Sequence, residues 1–146
     1  EKIMAEIRLW ANKQIDRPET ERILSPQEIT LLVKGNLIDV GSHTMSHPVL
    51  AKLSLANQQK EIRVSKHYLE EIIGRPVAYF AYPYGSRLDY TSRTAALVQK
   101  AGFLGACSNY FDIVWRRSDP YQLPRAVIRD WNGEQFSKKL QEYFYD

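Results

Sequence analysis

The chain has 146 residues, enough for one compact domain and too few for two ordinary ones. Hydrophobic residues make up 44% and charged residues 25%, which excludes disordered, collagen-like and disulfide-framework chains; the single cysteine, Cys107, has no internal partner. The net charge is +3, with no Lys/Arg run longer than two, so nucleic acid is not an expected partner. No apolar run approaches the ~18–20 residues of a membrane-spanning helix, and no targeting segment is visible. The first residue is Glu1 rather than Met, so these residues need not begin at a natural N-terminus.

From about Lys2 to Ile15, apolar residues at Ile3, Met4, Ile7, Trp10 and Ala11 mark one face of a helix, which Arg17-Pro18-Glu19-Thr20 then breaks. Ser25-Pro26-Gln27-Glu28 predicts a second helix. Ser25 is its cap, Pro26 suits its first position, Glu28 completes a capping box, and Gly35 is a left-handed stop. Leu37-Ile38-Asp39-Val40-Gly41 reads as a buried strand. Ser54 caps a long helix reaching about Ile73, ended by Gly74 and kept from resuming by Pro76.

Val77-Ala78-Tyr79-Phe80-Ala81 is the second predicted strand. A helix from Thr91 to Lys100 stops at Gly102, and Phe103 to Cys107 is the third strand. A connection from Ser108 to Pro124 leads to a fourth strand at Ala126-Val127-Ile128-Arg129. About Gly133 to Phe144 closes the chain as a helix. Strands alternating with helices imply an α/β fold with parallel strands joined by right-handed crossovers. Ligand sites in such sheets collect at the carboxyl edge, so the loops after each strand are the places to look.

The first of these loops reads Gly41-Ser42-His43-Thr44-Met45-Ser46-His47-Pro48. Two histidines four apart share a side if the loop makes one helical turn, and both can then reach one metal ion at ~2.0–2.1 Å for zinc. The alternative is a pair of exposed polar loop residues. Two of the chain's three histidines fall at this one strand end, which favours the pairing. The second loop reads Phe80-Ala81-Tyr82-Pro83-Tyr84-Gly85. Pro83 and Gly85 permit a sharp turn that aims a backbone N–H, such as that of Tyr84, into a pocket. Its aromatic rings also suit the apolar face of a sugar, although an ordinary Pro-Gly turn reads the same way.

Taken together, the two loops resemble the NodB-homology polysaccharide deacetylases (carbohydrate esterase family four). The resemblance rests on His43-x-x-x-His47 with Pro48 and Leu50, then a long helix, then Phe-Ala-Tyr-Pro-Tyr-Gly. The run from Ile38 to Thr44 fits the same family motif, and Leu123-Pro124-Arg125 with Asp130-Trp131 is similar to a late motif in one branch. It covers about Leu24 to Phe136. The resemblance implies a distorted (β/α) barrel, of which residues 1–146 form a single incomplete domain with about four parallel strands and flanking helices. It implies removal of acetyl groups from N- or O-acetylated sugars with a divalent metal, zinc first. By resemblance His43 and His47 are metal ligands, and the Tyr84 N–H stabilises the oxyanion. Tyr82, Pro83, Asp130 and Trp131 are then substrate-binding.

Three departures accompany the resemblance. The family's Asp-Asp pair, base and third ligand, precedes the His motif, and upstream of His43 this chain has only Asp16 and Asp39. The acid His of a late motif is missing, since no histidine follows His67, which reads as solvent-facing. The position two residues before Pro83, an Arg in the common motif, is Ala81. Arg125 is the candidate substitute, with an Arg bonding a loop carbonyl as the alternative. The chain alone is therefore expected to hold zinc weakly and turn over little; a non-catalytic carbohydrate- or partner-binding module is the second reading. An acetylated carbohydrate is the expected partner, and self-association through exposed strand edges is expected as well. The compartment stays open between envelope-related and cytoplasmic sites in a bacterium.

Overall fold

The computed structural model describes residues 2–10, 22–35 and 37–145. Helix α1 spans Lys2–Trp10; the rest of the first predicted helix, the Pro18 break and Asp16 lie outside the described residues. Helix α2 spans Pro26–Val33 and begins as its sequence dictates. Ser25 Oγ accepts the Glu28 N–H at 3.3 Å, and the Glu28 carboxylate accepts the Ser25 N–H at 2.8 Å. Arg22 also grips Glu28. Its hydrogen bond, with those from Ser25, lowers the Glu28 carboxyl to about 2. One expectation fails here: α2 ends on Lys34, right-handed at φ −63°, so Gly35 is not a left-handed stop.

Helix α3 spans Leu55–Ile73, opened by Ser54 Oγ on the Asn57 N–H and closed by Gly74 at φ +68°. Strand β1 (Tyr79–Ala81) pairs in parallel with strand β2 (Gly105–Cys107), Phe80 facing Ala106. Between them, helix α4 (Ser92–Lys100) starts from a reciprocal Thr91–Thr94 cap. Helix α5 (Gly133–Tyr145) is capped by Asn132, whose Oδ1 accepts the Gln135 N–H at 2.9 Å.

Two isolated bridges extend the ladder on both sides. Ser42 pairs in parallel with Phe80, and Leu123 pairs in parallel with Cys107. Four chain segments therefore lie side by side in chain order, at residues 42, 79–81, 105–107 and 123. Helices α3 and α4, which connect them, pack on each other. Only two of the segments are strands. The expected first strand does not pair over residues 37–41. Leu37 and Ile38 are exposed, and the hydrogen bonds form one residue later, from Ser42 N–H to Tyr79 O and from Ala81 N–H to Ser42 O, both 2.9 Å. The expected fourth strand at residues 126–129 does not form either. Its apolar residues Ala126 and Ile128 serve another purpose, lining a groove with Phe136 and Leu140 of α5, while the pairing falls on Leu123.

The core lies between the ladder and α3 and α4. Phe80 points into it against Phe103 (ring centroids 5.4 Å apart), with Leu50, Ile62, Val77 and Val98 around them, all essentially inaccessible. Truncating Phe80 to Ala would cost about 3–5 kcal/mol. Lys66 of α3 finishes the end of α4: its ammonium donates to the carbonyls of Ala101 (3.1 Å) and Gly102 (2.8 Å) and sits over the Phe103 ring. Among the described residues no helix is long and apolar enough to cross a membrane.

Candidate functional site

The Ser42 hydrogen bonds fix where the His loop leaves the ladder. The Ser42 side chain faces inward, its hydroxyl 2.6 Å from that of Ser65, which in turn donates to Ile62 O. Successive side chains along an extended segment alternate, so an inward Ser42 turns His43 to the other face. There His43 Nδ1 lies 2.7 Å from the carbonyl oxygen of Ala81. A carbonyl only accepts, so Nδ1 carries the proton and the lone pair is left on Nε2. This is the arrangement that orients a metal-binding imidazole.

His47 returns to His43 through a strained loop. Thr44 and His47 have φ of +68° and +55°, conformations that non-glycine residues adopt at a cost. The Thr44 hydroxyl accepts the His47 N–H at 3.1 Å. Outside the loop, the Glu61 carboxylate of α3 accepts the N–H of Met45 (2.9 Å), the N–H of Ser46 (3.0 Å) and the Ser46 hydroxyl (2.8 Å). Burial pushes the Glu61 carboxyl up, but these hydrogen bonds outweigh it and hold it below the usual range. The two imidazoles meet edge to face with centroids 4.9 Å apart. Apart from the bond to Ala81, their ring nitrogens have no hydrogen-bond partner among the described residues.

Tyr84 completes the cluster, its ring 4.8 Å from that of His47. It too has a positive φ, +60°, and its N–H has no acceptor among the described residues. The turn depends on Gly85. A Cβ there would lie 2.8 Å from the Asn109 nitrogen, at a backbone φ of +72°. His43, His47 and Tyr84 are thus brought together at the carboxyl edge.

Other expected residues lie elsewhere. Tyr82 is a correction: it is 1% exposed, stacked on Tyr90 at 3.9 Å, and its hydroxyl donates to Tyr121 O at 2.8 Å, so it offers no face to a sugar. Burial pushes its phenol pKa up. Pro83 is buried as well and shapes the turn rather than a binding surface. Arg125 takes the alternative role: its Nε donates to Ser108 O at 2.6 Å, and it makes no ion pair among the described residues. Asp130 is exposed and Trp131 half-buried before α5, and no hydrogen bond or ring contact joins them to the His loop. His67 is exposed and lies 3.3 Å from Glu71 on the surface of α3, and Asp39 pairs with Arg75.

Glu61 is the functional neighbour that sequence reasoning missed. Its signal was an acid one position from Ile62 and four before Ser65, at the rim of the inward stripe of α3. As a test of metal fit, the two imidazoles supply two suitable donors, one already oriented. Among the described residues no group of three His, Cys, Asp or Glu side chains converges.

Parallel segments in chain order, crossover helices packed together and a loop cluster at the carboxyl edge define an α/β protein of sequential βα units. A sequence profile of polysaccharide deacetylases matches residues 7–106, and the chain belongs to that family. Comparison with curated proteins found no match. Solved structures share the fold. A Streptococcus pyogenes deacetylase in complex with acetate is 20% identical with a TM-score of 0.72, covering 82% of this chain and 52% of that one. A polysaccharide deacetylase from Bacillus cereus is 24% identical with a TM-score of 0.71, covering 94% of this chain and 47% of that one. The chain spans about half the length of these structures.

Proposed function

We propose that these residues form part of a metal-dependent deacetylase domain that hydrolyses N-acetyl groups on sugars or polysaccharides. The observation carrying this reading is one cluster: two imidazoles with free ring nitrogens beside Tyr84, whose N–H is unbonded. His43 Nε2 and a ring nitrogen of His47 would hold the metal, zinc first, with nickel or cobalt suited to the same ligands. When bound, such an ion activates water and polarises an acetyl carbonyl. The Tyr84 N–H stabilises the developing oxyanion, and Glu61 holds the His loop in place. Arg125 Nε is taken up by Ser108 O, and only its remaining guanidinium nitrogens would be left to brace a carboxylate supplied from outside these residues. Asp130 and Trp131 remain candidates for sugar contact.

The four segments in chain order continue naturally into a distorted (β/α) barrel, and a segment outside these residues supplies the Asp pair that acts as base and third ligand. The acetate held by the Streptococcus pyogenes neighbour is the product such hydrolysis releases. Acetate release from N-acetylated chitooligosaccharides tests the reading. These 146 residues alone turn over little or nothing, and polypeptide extended through a Phe-Asp-Asp segment turns over with zinc. Robust deacetylation by the 146 residues alone would overturn the assignment of base and third ligand to another segment.

A second reading is a non-catalytic carbohydrate-binding module, favoured by the two-donor count among the described residues. It predicts that the full coding sequence also lacks the Asp pair.

A further inference from the structure

Two side chains of α3 hold the histidine loop, and the deacetylation reading uses only one of them, Glu61. Among the described residues, Glu61 and Ser65 are the α3 side chains hydrogen-bonded to residues 42–47. They stand four apart on one helix face, about 6 Å along its axis. Four residues of extended chain would cover about 13 Å. The chain between Ser42, held by Ser65, and Ser46, held by Glu61, must therefore fold back on itself, and Thr44 at φ +68° lies within that span.

Ser65 is the end of this clamp that packing does not call for. It sits three residues after Ile62 on the inward stripe of α3, where an apolar residue would pack as well and a hydroxyl must find a partner. Its one proton goes to Ile62 O at 3.1 Å, so toward the Ser42 hydroxyl, 2.6 Å away, it can only accept. The dependence is one-sided. Ser65 is satisfied on its own helix, whereas the hydroxyl proton of Ser42, a residue 1% exposed, has no other acceptor among the described residues.

The Ser42 segment needs such a fixing. It joins the ladder by a single bridge, with one backbone hydrogen bond to Tyr79 O and one from the Ala81 N–H. A one-residue slip in pairing exchanges the faces of the side chains. It would turn His43 inward, away from the Ala81 carbonyl that sets its tautomer.

We propose that Ser65 is a positioning residue for His43. By accepting the Ser42 proton it fixes the register at which the chain leaves the ladder, and so the face and tautomer in which the imidazole is presented. The purpose of this device rests on the reading of His43 as a metal ligand, but its geometry belongs to the metal-free chain.

The test compares Ser65→Thr with Ser65→Val in the full chain. The two add the same bulk and differ in the hydroxyl, and a helical threonine can bond a carbonyl three or four residues back, as Ser65 does. The first readout is the nitrogen–proton spectrum of the histidines without metal, with exposed His67 as the internal reference. The Nδ1–H signal of His43 is expected in the parent and in Ser65→Thr and lost in Ser65→Val, while the His67 signals stay. The second readout is zinc affinity. It is expected to fall about 10-fold in Ser65→Val, the scale on which a ligand's supporting bonds act, and to stay within about 2-fold of the parent in Ser65→Thr. Should the valine variant not fold, Ser65→Ala against the parent carries the same comparison, with the same loss expected.

A His43 signal and zinc affinity that survive in Ser65→Val, however far stability falls, overturn the proposal. Equal loss in Ser65→Thr, which would assign the effect to bulk, overturns it too, as does a parent without the His43 Nδ1–H signal. A parent that binds no zinc, with the His43 signal still following the Ser65 hydroxyl, sinks the metal reading and supports the positioning role.

Discussion

Glu61 and Ser46 are joined twice, one carboxylate oxygen accepting the Ser46 hydroxyl at 2.8 Å and the other its N–H at 3.0 Å. The pair ties α3 to a loop that two positive-φ residues would otherwise relax. Glu61→Ala should cost about 1–2 kcal/mol in urea unfolding, as expected for lost charge-assisted bonds at a partly solvated site. It should also broaden the ring resonances of His43 and His47 and weaken zinc binding. Glu61→Gln, which keeps one carbonyl acceptor, should lose less. Sharp, unshifted histidine resonances in Glu61→Ala would remove the positioning role.

The same contact sets a pH dependence. The Glu61 carboxyl is lowered in the folded chain, so its contribution is complete above the ordinary glutamate value of about 4.3 and is lost as pH falls through the folded value. Stability measured between about pH 5 and pH 3 should fall more steeply in the parent than in Glu61→Gln, which has nothing to titrate there. Parallel curves would show that the carboxylate contributes nothing.

Gly85→Ala combines two costs, a Cβ 2.8 Å from the Asn109 nitrogen and a φ of +72°. Gly74→Ala shares the positive φ, +68°, with nothing within 4 Å of the added carbon. The first should lower stability by about 2–4 kcal/mol and the second by about 1 kcal/mol. Equal melting temperatures for the two variants would show that the Asn109 contact yields freely.

Tyr82→Phe removes the hydroxyl bond to Tyr121 O and leaves the stacked ring in place. It should cost about 1 kcal/mol of stability and leave affinity for an N-acetylglucosamine hexamer unchanged. A several-fold drop in affinity at full stability would return Tyr82 to the substrate groove.

The helix caps at Ser25, Ser54 and Gly74 were readable because capping is settled within four residues of chain. The His pair was readable from its spacing, but the one helical turn expected to join the rings is absent: positive φ at Thr44 and His47 and the Glu61 bonds bring them together instead. Residues 126–129 misled because β-branched residues that line a groove read the same as those that form a strand. Tyr82 was misplaced although its parity was visible: two residues after Phe80, it shares the inward face, and the rings meet at 5.3 Å. Glu61 was invisible because its bonds cross fifteen and sixteen residues to another element.

The order of the four ladder segments bears on how the site assembles. Partners at 107 and 123 are close in sequence, those at 80 and 106 farther apart, and those at 42 and 80 farther still. Loop-closure entropy alone separates the first pairing from the last by about 0.8 kcal/mol. The ladder should therefore zip from its C-terminal side toward Ser42, and amide protection in pulsed hydrogen exchange should appear at Leu123 before Ser42. Simultaneous protection would contradict that order. In this sequence of events the histidine loop is the last part of the ladder's edge to set, after the platform that receives it has already formed.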